Sequence, residues 1–220
     1  MKKKIIGSAF ALLFAVALSA AYVNKTFSIP DFITETIKSS SDKLVLTDKS
    51  LSGGKLQSKI DAKFGNNYSQ LRTLIIQAGE LTPDDCKFIK KSLTGLEELT
   101  IEGTANFTNG IIPKGAFDGM PNLKKVKATQ AKEIGLKAFS GCEKLETINF
   151  PNVEKTGVQA FAQPKGSNNS QLRIARLPKL KHADPRMFYY CTNLSELYLN
   201  APPALKRPEG KEGLWFERVT

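Results

Sequence analysis

The chain reads as a mainly β or α/β protein: a single stacked solenoid of about six short parallel strands, with turns or short helices on its convex side. Three observations predict this. One phrase recurs 22 residues apart, as Gly115-Ala116-Phe117-Asp118-Gly119, Lys137-Ala138-Phe139-Ser140-Gly141-Cys142 and Gln159-Ala160-Phe161. A period of that size marks a repeat architecture. A leucine then follows at a fixed interval, six residues from Phe117 to Leu123, from Phe139 to Leu145 and from Phe188 to Leu194. Finally, each such leucine opens an apolar run of one pattern.

Taken in chain order, those runs are Leu71-Leu74-Ile76, Leu96-Leu99-Ile101, Leu123-Val126-Ala128, Leu145-Ile148-Phe150, Leu172-Ala175-Leu177 and Leu194-Leu197-Leu199. Apolar residues stand at the first, fourth and sixth places, and the last two alternate with outward positions, which is strand periodicity. A five-residue strand buries too little alone, and stacking such strands about 4.8 Å apart removes the deficit. Two further columns keep the register: Ile112, Ile134, Thr156 and Ala183 five residues before each phenylalanine, and Ala131, Val153 and Leu180 eight before. The copy at Phe161 reaches its leucine, Leu172, only after eleven residues. The excess is assigned to the polar stretch from Gln163 to Ser170, a lengthened surface loop, because added loop length costs stability only slowly.

The pattern from Leu145 to Pro151, with Ala138-Phe139 and Cys142 before it, resembles the BspA-like, Treponema-type leucine-rich repeats of bacterial surface proteins. The resemblance covers residues 44–205. It implies an irregular N-terminal cap over 44–95, around Leu51-Ser52-Gly53-Gly54, Leu71 and Thr82-Pro83-Asp84-Asp85, and repeats over 96–205. Residues 22–43 then form an N-terminal linker, and 206–220 a C-terminal tail or incomplete cap that carries Leu214-Trp215-Phe216. The resemblance further implies adhesion to host matrix proteins, mucosal surfaces or other bacteria.

With 220 residues, 41% of them hydrophobic, the chain suffices for one elongated domain. Lys2, Lys3 and Lys4 precede an apolar stretch from Ile5 to Ala21 that closes on Ser19-Ala20-Ala21. This is the layout of a secretory signal peptide over residues 1–21. The alternative is an uncleaved anchor, for which the stretch is marginally short. Cleavage leaves no transmembrane span, and no cysteine near the site offers a lipoprotein route. The formal charge is +11, and subtracting Lys2, Lys3 and Lys4 leaves +8. The excess is dispersed and carries no nucleic-acid motif, so an anionic glycan is the more plausible charged partner and nucleic acid is excluded. Cys86, Cys142 and Cys191 read as buried free thiols, since the last two hold equivalent places two turns apart, roughly 10 Å, beyond disulfide reach.

Reactive chemistry has no foothold. His182 stands alone in a turn before Asp184, and Gly53-Gly54 is not followed by the lysine and threonine of a phosphate loop at the needed spacing. Thr82-Pro83-Asp84-Asp85 reads as the N-terminus of a helix running through Phe88 and Ile89, with Asp84, Asp85 and Cys86 as helix residues and not a site. No catalytic, cofactor or metal residue is expected, and the protein is read as a monomer without enzymatic activity. Asn24, Asn106, Asn168 and Asn193 begin glycosylation tripeptides, which matter only in a eukaryotic secretory route.

Function is expected instead on the face the strands line, where two columns point outward. The first is Thr73, Glu98, Lys125, Thr147, Ile174 and Glu196; the second is Ile75, Thr100, Lys127, Asn149, Arg176 and Tyr198. Lys125, Lys127 and Arg176 around Thr147 and Asn149 form a cationic, hydrogen-bonding strip, with Ile75, Ile174 and Tyr198 as exposed apolar anchors. Such a face suits a protein or a polyanionic glycan on a host or bacterial surface better than a small molecule. The alternative is a structural or scaffold protein of the envelope whose strand face is merely solvated.

Overall fold

The computed structural model describes residues 42–49, 51, 53–164, 170–184, 186–200 and, for the backbone, 204–205. The signal peptide expected over residues 1–21, the linker expected over 22–43 up to residue 41, and the C-terminal tail 206–220 lie outside the described residues; the last linker residue, Lys43, already belongs to a strand.

Strand periodicity is realised as a parallel sheet of seven strands, in the order β1 (Lys43–Leu46), β2 (Thr73–Ile76), β4 (Glu98–Ile101), β7 (Lys125–Ala128), β9 (Thr147–Asn149), β11 (Ile174–Arg176) and β13 (Glu196–Tyr198). The pairing joins equivalent positions of every run: Leu74 to Leu99, Leu99 to Val126, Val126 to Ile148, Ile148 to Ala175 and Ala175 to Leu197. The sequence reading anticipated six strands and missed β1. Its Leu44 and Leu46 pair with Leu74 and Ile76, but Ser41 stands where the other runs carry their leading leucine. Without that anchor, four residues give no signature.

Across the core lies a second parallel sheet of two-residue strands: β6 (Ile111–Ile112), β8 (Glu133–Ile134), β10 (Lys155–Thr156), β12 (His182–Ala183) and β14 (Ala204–Leu205). The column Ile112, Ile134, Thr156 and Ala183 is its inward row, all four residues buried. A short parallel pair, β3 (Glu80–Leu81) with β5 (Asn106–Phe107), serves the preceding turns. Lys155 pairs with Glu133 on one side and His182 on the other, so the ladder absorbs the five-residue insertion without losing register. The inserted stretch is less superficial than anticipated. Its ends, Gln163 and Ser170, are buried, and Gln163 N–H donates to Tyr189 O at 2.8 Å; residues 165–169 lie outside the described residues.

Between the sheets runs the file of leading leucines. Leu71, Leu96, Leu123, Leu145 and Leu172 are fully buried, and Leu194 nearly so. Beside it runs a stack of rings: Phe117 to Phe139 at 5.2 Å, Phe139 to Phe161 at 5.5 Å and Phe161 to Phe188 at 5.4 Å between centroids. The phrase that carries these rings is itself hydrogen-bonded from turn to turn, Phe117 N–H to Ala138 O, Phe139 N–H to Ala160 O and Phe161 N–H to Met187 O, each 2.8 Å. Close approach demands glycine where consecutive turns touch. A Cβ on Gly157 would stand 2.6 Å from Leu136 N, and one on Gly135 would stand 2.8 Å from Ile112 O.

The 44–95 section shares the strand register but carries helices on its other side. α2 (Pro83–Ser92) is the helix expected from its N-terminus: Thr82 caps it, and Thr82 and Asp85 exchange the reciprocal bonds of a capping box. α1 (Leu56–Phe64) was not foreseen, because Lys55, at its N-cap, offers no side-chain acceptor. Its acceptor comes from the other helix: Leu56 N–H donates to Asp85 Oδ1 at 3.1 Å. One buried carboxylate thus satisfies orphan donors of both helices.

Candidate binding face

The alternation that sends Leu74, Leu99, Val126, Ile148 and Ala175 inward sends their neighbours outward, and parallel pairing sets those neighbours side by side. Thr73, Glu98, Lys125, Thr147, Ile174 and Glu196 form one continuous column; Ile75, Thr100, Lys127, Asn149, Arg176 and Tyr198 form the other. All twelve expected face residues are therefore brought together, and Lys43 and Val45 of β1 lengthen both columns by one strand.

Two expectations about the character of this face need correction. Ile75 and Ile174 are not exposed anchors; both are half-buried, because side chains on strands about 4.8 Å away cover them. Tyr198, 47% exposed, is the large apolar residue that stands clear of the sheet. Nor is the strip around Lys125 and Lys127 a free cationic surface. Lys125 Nζ meets Glu98 Oε1 at 2.7 Å, and Lys127 Nζ meets Glu102 Oε2 at 2.9 Å. The hydrogen bond it donates to Glu98 raises the Lys125 ammonium above its ordinary value, and the one from Lys127, aided by Gln77, holds the Glu102 carboxyl below the usual carboxylate range.

These pairs belong to a wider pattern along the stack. Lys124 bridges Glu97, Lys155 bridges Glu133 and Lys181 bridges Glu154 at 2.7–2.8 Å, in each case with the lysine one turn after the glutamate. At the entry to the strands the sign alternates from turn to turn, Arg72, Glu97, Lys124, Glu146, Arg173, with the backbone linking each residue to the next. Opposite charges directly across a parallel pair favour the native register, and a shifted one juxtaposes like charges. The signal was present in the sequence, since the columns already set Glu98 beside Lys125.

Arg176 differs from the two lysines. Among the described residues it meets no carboxylate; its guanidinium lies over the Tyr198 ring, 4.8 Å from the centroid. Tyr198 Oη in turn donates to Glu196 Oε2 at 2.6 Å, and that bond pushes the phenol's pKa up. Its partner on β9, Asn149, is uncharged, as is Thr147, which pairs with Ile174.

The residues set aside as unreactive hold structural places. His182 is exposed on β12 beside Lys155 of β10. Asp84 pairs with Lys87 at 2.8 Å. Cys86, Cys142 and Cys191 are free and buried, and desolvation pushes each thiol up to about 12. Cys142 Sγ donates to Phe117 O at 3.0 Å and Cys191 Sγ to Phe161 O at 3.2 Å, each reaching the preceding turn. Among the described residues no group of three or more His, Cys, Asp or Glu is placed to hold a metal ion.

The period, the parallel register and the stacked phenylalanines agree with a match to the family described as BspA type leucine-rich repeat region, in six copies over residues 110–205. Residues 110–205 belong to that family. BspA-type repeats are generally surface-associated and protein-binding, and typically not enzymatic. The seven-stranded sheet carries the repeat geometry upstream of the matched BspA-type region, to β1. No curated protein matches the chain. Among the described residues no helix is long and apolar enough to cross a membrane.

Proposed function

We propose that this protein is a secreted or cell-surface repeat protein that binds a protein or glycan on a host or bacterial surface through its strand-lined face. Residues 1–21 act as the export signal, residues 44–205 form the repeat domain, and the working unit is a monomer without catalytic activity. The observation that carries this reading is the pair of outward columns. Over a regular inward apolar ladder they run unbroken through seven strands, with side chains that change from each strand to the next. A spacer has no use for that variety, whereas an extended recognition surface is made of it.

The test is selective retention of the purified full chain on a panel of extracellular-matrix proteins and glycans. The expected result is retention by some members only, lost in the double variant Lys127→Glu with Arg176→Glu while the melting curve stays that of the parent. Retention by none of the panel, or retention indifferent to that variant, returns the protein to the structural reading, a spacer in an envelope assembly.

A further inference from the structure

We infer that the binding energy of this face is concentrated at its C-terminal end, on Arg176, Tyr198 and Ile174, and that the occupant is a protein segment presenting a carboxylate beside an apolar or aromatic side chain. This rests on the face being the binding surface and goes on to locate the hot spot and name the partner's chemistry. The argument is one of charge. Over β4 and β7 the face is internally cancelled, since Lys125 is bridged to Glu98 and Lys127 to Glu102. A polyanionic glycan needs a row of cations free to pair with it, and the two columns do not supply one. Over β9, β11 and β13 the situation reverses. Arg176 meets no carboxylate among the described residues and is held over the Tyr198 ring.

That stacking matters because it fixes the plane of the guanidinium. An oriented fork takes a carboxylate bidentately and loses less conformational freedom in doing so than a lysine. Tyr198 is itself anchored by its bond to Glu196 and remains 47% exposed, so its ring offers apolar area without first having to be ordered. Half-buried Ile174, two residues before Arg176 on β11, pairs with Glu196 in the first column and lies diagonally from Tyr198. Arginine and tyrosine beside an apolar floor are the residue types that dominate protein interfaces. One cation that meets no carboxylate among the described residues, set between uncharged Asn149 and Tyr198, fits a single carboxylate, and the apolar neighbours fit the side chain next to it.

The experiment selects a phage-displayed random peptide library on the immobilised full chain, with heparin measured in parallel as the polyanion. An enriched family carrying Asp or Glu next to an aromatic or aliphatic residue is expected. A synthetic member should weaken about tenfold or more in Arg176→Gln and in Tyr198→Ala, and change less than about twofold in Lys125→Gln or Lys127→Gln. Circular dichroism melts confirm that each variant is folded. If the peptides lack an acid, or lose binding with the lysine variants and not with Arg176→Gln, the hot spot is overturned while the face stands. Heparin retention through this face with no enriched peptide overturns the protein partner. Peptides indifferent to all four variants bind elsewhere, and the face falls too.

Discussion

Removing one ring from the middle of the stack tests the packing argument at its strongest point. Phe139 is fully buried and touches three rings, Phe117 at 5.2 Å, Phe161 at 5.5 Å and Phe150 at 5.7 Å between centroids. Phe188, the last ring of the described stack, meets a single ring among the described residues, Phe161 at 5.4 Å. A buried phenylalanine replaced by alanine costs about 3–5 kcal/mol, the lost transfer energy and the cavity together. Each aromatic neighbour adds about 0.5–1.5 kcal/mol beyond area, so the two extra neighbours separate the sites by about 1–3 kcal/mol. Phe139→Ala should therefore lie near the top of that range, and Phe188→Ala near its bottom. Urea unfolding followed by far-ultraviolet circular dichroism measures both. Amide exchange should show protection lost first in the turns flanking residue 139, because each turn is stabilised by its neighbours. Equal losses at the two positions, or a loss under about 1 kcal/mol at Phe139, refute the reasoning that the rings stack cooperatively.

Other consequences concern the backbone, the thiols and the charges. Gly157→Ala should destabilise by about 1–3 kcal/mol in the same urea titration, because the new Cβ meets the backbone of the preceding turn and not a movable side chain. Cys86, Cys142 and Cys191, each near 12, should be inert to an aromatic disulfide reagent at pH 8 in the native protein, and all three should react once urea unfolds it. Glu97, Glu102 and Glu154 titrate below the usual carboxylate range through their lysine bonds. Their folded pKa values lie under the unfolded value of about 4.3, so their contribution is complete above that pH and disappears as pH falls through the folded values. The urea midpoint should drop below about pH 4, and the drop should shrink in high salt because the pairs are exposed.

The strand ladder was legible because leucine spacing and period-two alternation are both local, and both repeat. Leu96 through Leu194 could be aligned without knowing what they touch. What escaped the sequence depended on contacts between turns. β1 lacks the leading leucine that anchored every other run. α1 takes its N-terminal acceptor from Asp85, 29 residues away, so nothing beside Leu56 announces a helix start. The second sheet was visible as a column of buried residues but not as strands, since two residues cannot display a period. The same limit governed the face. Its twelve members followed from counting, but the charge on Lys125 and Lys127 could be judged only with Glu98 and Glu102 placed against them. Reading the columns crosswise finds the first of those pairs; the second is diagonal, from Lys127 past Thr100 to Glu102.

Amide hydrogen exchange of the full chain, with and without a peptide selected on it, asks where on the molecule recognition takes place. Added protection confined to 147–149, 174–176 and 196–198 is the result expected of a working surface lined by strands. Protection appearing instead on the Ala-Phe turns, over 113–119 and 135–141, with the sheet unchanged, would contradict it.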